Sequence, residues 1–91
     1  MTKQEFVDAV ADKSGLSKRD AGAAVDAALA VIEGTLQNGD SVAFTGFGKF
    51  HVTRRAARQG VNPRTGEPVQ ISAANVPKFS AGSQLKKAVN A

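Results

Sequence analysis

The sequence predicts an α+β fold in which two N-terminal helices precede a small antiparallel sheet, a β-ribbon arm and a short C-terminal helix. Three observations indicate this order. Apolar residues recur at spacings of three and four within residues 1–39, as they do along one face of a helix. From Val42 they alternate with a period of two, as in strands. Residues 54–75 then contain no apolar pattern strong enough to form a core, and apolar residues return at Val76.

Capping residues predict where each N-terminal helix begins and ends. Thr2 and Glu5 have the spacing of a capping box, in which each side chain accepts the other residue's backbone N–H. Gly15 fits the C-terminus of this first helix. Ser17 repeats the start signal, and Gly39 closes a longer second helix.

Two glycines, Gly22 and Gly34, lie inside the second helix, where each costs up to about 1 kcal/mol relative to alanine. Either they allow another backbone to approach closely, or the helix depends on tertiary packing for its stability. Small residues on the same face favour close approach, namely Ala21, Ala24 and Ala28.

The sheet is predicted from short alternating segments. Val42 and Phe44 alternate in one strand, Gly46 turns the chain, and a second strand follows. Residues 76–79 return as the last strand, and Ser80 is the predicted N-cap of the terminal helix.

The segment 54–75 is predicted to form two strands joined by a tight turn. Asn62 supplies a side-chain acceptor for the turn, Pro63 fixes φ, and Gly66 can adopt a positive φ. Two paired strands of about ten residues reach about 30 Å, enough to follow a DNA groove. Disorder of the whole segment is the alternative.

The charge is divided unevenly along the chain, which has a net charge of +4. Residues 1–45 hold four basic and seven acidic side chains, whereas residues 46–91 hold eight basic side chains and one acidic side chain. This distribution indicates a basic surface for a polyanion, with a merely solvated charged face as the alternative. The arm's arginines can neutralise phosphates and enter a narrow minor groove; they are Arg54, Arg55, Arg58 and Arg64.

Pro63 has two interpretations of equal weight. It is apolar, rigid and lacks an N–H, so it can act as a wedge that unstacks one base step. It is equally an ordinary turn residue. Neither long helix has a basic polar stripe suited to the major groove, so strong sequence specificity is not predicted.

The composition excludes several classes of protein. The chain has no Cys, which excludes a disulfide framework and any Cys-based metal site or nucleophile. No nucleotide-binding glycine motif is complete, and His51, the one histidine, has no second metal ligand and no nucleophile to serve. We therefore expect no enzyme activity, cofactor, metal or small-molecule substrate. No apolar segment approaches the ~20 residues of a membrane span, so we expect a soluble, cytoplasmic protein without a membrane partner.

The short chain predicts an obligate dimer. A chain of this length buries only ~60–65% of the surface that it exposes when unfolded. Without the arm, about 70 residues remain, and one core of that size supplies only a few kcal/mol. Four of the five phenylalanines lie in the strand region, where we expect them in the core or the dimer interface rather than stacked on bases.

The strand and arm together form a distinctive motif. Its positions are Gly46-Phe47-Gly48-x-Phe50 and Arg58-x-Gly60-x-Asn62-Pro63-x-Thr65-Gly66. In these positions, and over nearly its whole length, the sequence resembles the HU and integration host factor family of bacterial nucleoid (histone-like) DNA-binding proteins. It is most similar to HU.

This resemblance implies one HU-like DNA-binding domain over residues 1–91 and an intertwined dimer whose two arms hold DNA through the minor groove. Its parts would be a helical dimerisation part at 1–39, a sheet body at 41–53 and 76–80, a DNA-binding arm at 54–75 and a C-terminal helix at 81–90. Pro63 would intercalate at the arm tip and kink the duplex.

The resemblance also implies residue roles by position. The arm's DNA contacts would be Arg55, Arg58, Asn62 and Arg64, with added charge from Arg54. The flanking DNA contacts would be Lys3, Lys78 and Lys86. The hydrophobic dimer core would be Phe47, Phe50 and Phe79. Basic residues are common in the family at three positions that are here Thr53, Val61 and Ser83.

We therefore expect a homodimer that binds double-stranded DNA with little sequence preference and bends, wraps or compacts it in the cytoplasm, associated with the nucleoid. One alternative is a sequence-preferring DNA-bending accessory factor of the integration host factor type. Another is a protein-interaction module in which the arm pairs with a sheet edge of another chain. RNA as a ligand and a heterodimer with a paralogue stay open.

Overall fold

The computed structural model describes residues 1–91 and has the predicted α+β order of elements. The helices are α1 (Lys3–Ser14), α2 (Lys18–Gln37) and α3 (Ser83–Val89). The strands are β1 (Val42–Phe44), β2 (Gly48–Arg55), β3 (Arg58–Val61), β4 (Pro68–Ile71) and β5 (Ala74–Ala81). The chain divides into two compact units, Met1–Gly34 and Thr35–Ala91, called here the helical unit and the sheet unit. No helix combines the length and the apolar character that a membrane crossing requires.

The ends of the first two helices lie where the capping residues predict. Thr2 Oγ1 accepts the Glu5 N–H at 3.2 Å, and the Glu5 carboxylate accepts the Thr2 N–H at 3.3 Å. Gly15 ends α1 with a φ of 79°. The Asp20 N–H donates to Ser17 Oγ at 3.1 Å at the start of α2, so the predicted caps of both helices are confirmed.

The buried side chains of the whole chain belong to one small cluster in the helical unit. They are Val7, Ala11, Ala21 and Val25. A Cβ added at Gly22 would lie 3.7 Å from Val7 Cγ1, an ordinary contact, and one added at Gly34 would meet nothing within 4 Å. These glycines therefore do not serve close backbone approach within the chain, and α2 depends on its packing for stability.

The sheet unit contains a three-stranded antiparallel sheet in the order β1-β2-β5. Gly46 turns the chain between β1 and β2 with a φ of 81°, a conformation that glycine adopts without a steric penalty. The β2 and β5 strands pair from Gly48 opposite Ala81 to Arg55 opposite Ala74. This long pairing brings the arm's chain segments out of the sheet side by side.

Beyond this sheet, β3 and β4 form a separate two-stranded ribbon, from Arg58 opposite Ile71 to Val61 opposite Pro68. The sequence predicted one continuous pair of strands, but residues 56–57 and 72–73 interrupt it. These residues are Ala, Ala, Ser and Ala, which provide no large cross-strand pair to stabilise the ladder there. Because two residues are unpaired on each side, β3 and β4 resume pairing in the same register.

The start of the terminal helix differs from the prediction. Ser80 was expected to be the N-cap, but the cap of α3 is Gly82, which makes no side-chain capping bond. The prediction is wrong because pairing with β2 continues to Ala81 and keeps Ser80 within β5. The Ser80 hydroxyl instead lies 2.9 Å from His51 Nε2.

Candidate nucleic-acid interface

The tip of the arm is a closed turn built by Asn62. The Asn62 N–H donates to the Glu67 carbonyl at 2.8 Å, and the Asn62 carbonyl accepts the Gly66 N–H at 2.7 Å. Its side-chain oxygen accepts the Arg64 N–H at 2.9 Å, and Gly66 has a φ of 75°. The predicted turn chemistry is confirmed. The exposed Pro63 therefore lies on a loop that hydrogen bonds fix from both sides.

The hydrogen bond from the Arg64 N–H gives the Asn62 side chain a mainly structural role. Its oxygen is occupied by the turn, and its amide N–H groups are the part left to contact a ligand. The predicted DNA contact by Asn62 would therefore be made by a donor.

The four arm arginines are exposed, and two of them are held in place by neutral partners. Arg54 Nη1 donates to Asn75 Oδ1 at 3.3 Å, and Arg55 Nη2 donates to the Ser72 carbonyl at 3.2 Å. Neutral acceptors orient a guanidinium but leave its charge uncompensated. Each of the four arginines therefore keeps a full positive charge available to an anion.

Both ion pairs of the structure lie in the helical unit. Lys3 Nζ is 2.6 Å from Asp26 Oδ1, and Lys18 Nζ is 3.8 Å from Asp8 Oδ1. In the sheet unit, by contrast, no arginine or lysine forms an ion pair. Among the predicted DNA contacts, Lys3 alone has an acidic partner and would have to exchange that partner for a phosphate.

Lys78 and Lys86, the other predicted flanking contacts, are exposed cations of the sheet unit. Lys78 lies in β5 directly opposite His51 in β2. Lys86 lies in the last turn of α3 beside Lys87, and α3 has no acidic residue in its first turn. Neither lysine forms an ion pair, so no carboxylate has to be displaced before a phosphate binds.

The predicted dimer-core phenylalanines form one cluster on the sheet. The ring centroids of Phe50 and Phe79 are 4.8 Å apart, and those of Phe47 and Phe79 are 5.8 Å apart. Phe44 extends the cluster, with its ring at 6.4 Å from Phe50. Even so, Phe47 is 51% exposed and Phe79 is 42% exposed. The cluster is thus assembled within one chain but is only partly covered by it.

Sequence reasoning missed Asn75, which orients Arg54. The position of the turn could have predicted this pairing. When the register is counted outward from a hairpin centred between Arg64 and Thr65, residue 54 lies opposite residue 75. Sequence reasoning also missed the contact between His51 and Ser80, because the last strand was predicted to end before Ser80.

Comparison with known proteins gives the family. Residues 1–90 match the family model described as bacterial DNA-binding protein. DNA-binding protein HRm of Rhizobium meliloti is 58% identical over 90 residues, which cover 99% of this chain and 100% of that protein. DNA-binding protein HU of Geobacillus stearothermophilus is 53% identical over 89 residues, which cover 98% of this chain and 99% of that protein.

A solved structure agrees with this assignment. The cocrystal structure of Anabaena HU with DNA superposes with a TM-score of 0.91 at 45% identity, over 98% of this chain and 97% of that chain. Sequence and fold thus confirm the resemblance to HU over nearly the full length. The chain belongs to the bacterial DNA-binding protein family that includes HU.

Proposed function

We propose that this protein is an architectural protein that binds double-stranded DNA with little sequence preference and bends it. The observation that best supports the proposal is the arm, an exposed ribbon with arginines that have no acidic partner and a proline fixed at its tip. The relatives named as DNA-binding proteins and the Anabaena HU structure with DNA support the same conclusion.

The arm's chemistry suits the DNA backbone more than the base edges. Guanidinium groups attract phosphates and the negative potential of a narrow minor groove, and neither attraction depends strongly on sequence. A fixed apolar residue such as Pro63 can partly unstack one base step, which lets the bent duplex touch more protein surface. DNA that is already flexible or nicked costs less to deform, so it would bind more tightly.

The chain is proposed to act as a homodimer. Its buried core contains four small or medium side chains, all in the helical unit, while the phenylalanine cluster of the sheet unit is half exposed. A single core so small stabilises a chain of this length poorly. A second copy would cover Phe47, Phe50 and Phe79 and remove their apolar surface from water. We also propose a cytoplasmic location at the nucleoid, as expected for a bacterial DNA-binding protein.

A fluorescence-anisotropy titration tests the proposed function. Random-sequence duplex DNA, intact or with a single nick, is titrated with protein at three salt concentrations. We expect binding that weakens steeply with salt and favours the nicked duplex, because phosphate contacts release counterions and the nick lowers the bending cost. Absence of binding to either duplex at low salt would contradict the proposal. A large affinity ratio between duplexes of different sequence would instead favour a sequence-preferring factor of the integration host factor type. The same titration with RNA in place of DNA tests whether RNA is also a ligand.

A further inference from the structure

The two faces of the β2–β5 pair differ in chemistry. Side chains alternate along a strand, and directly opposed residues of an antiparallel pair point to the same face. One face therefore contains the opposed Phe50 and Phe79, whose rings are in contact. The other face contains His51 opposite Lys78, and Lys49 opposite Ser80.

This second face, called here the basic sheet face, extends along β2 to Arg55, four residues beyond His51. Its charged groups are Lys49 and Arg55 from β2 and Lys78 from β5. The third strand, β1, has no titratable residue and places Ala43 opposite Lys49. His51 thus has Lys78 opposite it and Lys49 two residues along β2, and no carboxylate faces it from any strand of the sheet.

His51 is half buried and is held by one hydrogen bond, with Nε2 at 2.9 Å from Ser80 Oγ. In the neutral ring, Nε2 either accepts from the hydroxyl or donates to it. In the imidazolium both ring nitrogens are donors, so Nε2 must donate to Ser80 Oγ. If Nε2 accepted in the neutral ring, the hydroxyl hydrogen is released to point elsewhere, and if Nε2 already donated, Nδ1 gains the new hydrogen. In either case protonation adds one positive charge and one outward donor at this position.

A phosphate is the ligand whose binding is strengthened most when His51 is protonated. A nearby anion favours the charged form of an imidazole, and hydrogen bonds between an ionised donor and an anion are stronger than neutral ones. An imidazole changes its charge between about pH 5 and about pH 8, so proton uptake can accompany binding under ordinary conditions. The chain has no other histidine, which assigns any such effect to one group.

We infer that His51, held by Ser80 on the basic sheet face, contacts a DNA phosphate in its protonated form and makes DNA affinity rise as the pH falls. The inference rests on the proposed function and deepens it, because it names a proton-linked contact outside the arm. Its sign follows from charge: the protonated form binds more tightly, so affinity is highest at low pH and declines as the ring loses its proton.

Two substitutions separate this role from packing. His51→Gln keeps a polar side chain near Ser80 but stays neutral, whereas His51→Lys stays positive. DNA binding by the intact protein and both variants is measured by anisotropy at about pH 5.5 and about pH 7.5. Salt is varied from ~50 mM to ~200 mM at each pH, and thermal melting verifies that both variants are folded.

For the unsubstituted protein, we expect the slope of log affinity against log salt to be steeper by about 0.9 per chain at the lower pH, since one more phosphate is neutralised. The gain in affinity on acidification is then about threefold larger per chain at ~50 mM than at ~200 mM salt. His51→Gln should keep the shallower slope at both pH values, and His51→Lys the steeper one.

The same titrations distinguish two kinds of failure. Binding whose pH dependence is unchanged in His51→Gln would overturn the inference and leave the proposed function intact. A loss of affinity that is equal in both variants and at both pH values would indicate packing alone, and would also overturn it. Absence of DNA binding by all three proteins at low salt would overturn the proposed function and the inference together.

Discussion

Removing the two arm arginines whose side chains make no hydrogen bond within the chain should weaken the salt dependence of DNA binding by a predictable amount. The side chains of Arg58 and Arg64 are exposed and have neither an acidic nor a neutral hydrogen-bonding partner, so their replacement by alanine breaks no hydrogen bond or ion pair. Each phosphate that a cation neutralises contributes ~0.9 to the slope of log affinity against log salt. The double variant should therefore lose about 1.8 from this slope per chain, and about 3.6 in a dimer.

The assay is an anisotropy titration of duplex DNA between ~50 mM and ~200 mM salt. Lys18→Ala is the control, because it removes an exposed positive charge from a lysine that is already paired with Asp8. We expect the control to keep the full slope, with a stability change within the ~0–1 kcal/mol of an exposed ion pair. An unchanged slope in the double variant, with both proteins folded, would refute the assignment of the arm as the phosphate-binding element.

Three further predictions concern the tip, the sheet and the helical unit. Pro63→Ala should reduce the DNA bend, measured by energy transfer between the duplex ends, more than it reduces the salt slope; an unchanged bend would eliminate the wedge. Gly48→Ala places a methyl group against the Phe79 ring, so chemical denaturation should show a loss of ~1–3 kcal/mol in stability. Gly22→Ala has room for its methyl group and should be neutral or stabilising by up to ~1 kcal/mol. Equal effects of the two would be inconsistent with the packing described. Asp26→Asn frees Lys3 from its ion pair and should steepen the slope of log affinity against log salt by up to ~0.9 per chain. An unchanged slope would show that Lys3 does not contact DNA.

The sequence was most informative where local chemistry determines the backbone. The capping box at Thr2, the left-handed glycines at Gly15 and Gly66, and the side-chain acceptor of Asn62 were all predicted, because each depends on residues within a few positions. The change from helical to alternating spacing likewise gave the order of elements. The resemblance to a known family then predicted how these elements assemble into an α+β fold.

Features that depend on pairing across the chain were harder to predict. The interruption at residues 56–57 results from weak cross-strand pairs, which composition alone does not reveal. The true cap of α3 depends on how far β5 pairs with β2, so Ser80 was assigned to the wrong element. The pairing of Lys3 with Asp26 joins two helices and has no local signature.

The most direct test of the central claim is the end-to-end distance of DNA when the protein is bound. A short duplex with a fluorophore at each end is titrated with protein, while anisotropy on the same sample reports how much DNA is bound. An architectural protein that bends DNA should raise energy transfer between the ends in proportion to the bound fraction. Saturated binding with unchanged energy transfer would contradict the account, because the arms would then hold phosphates without deforming the duplex.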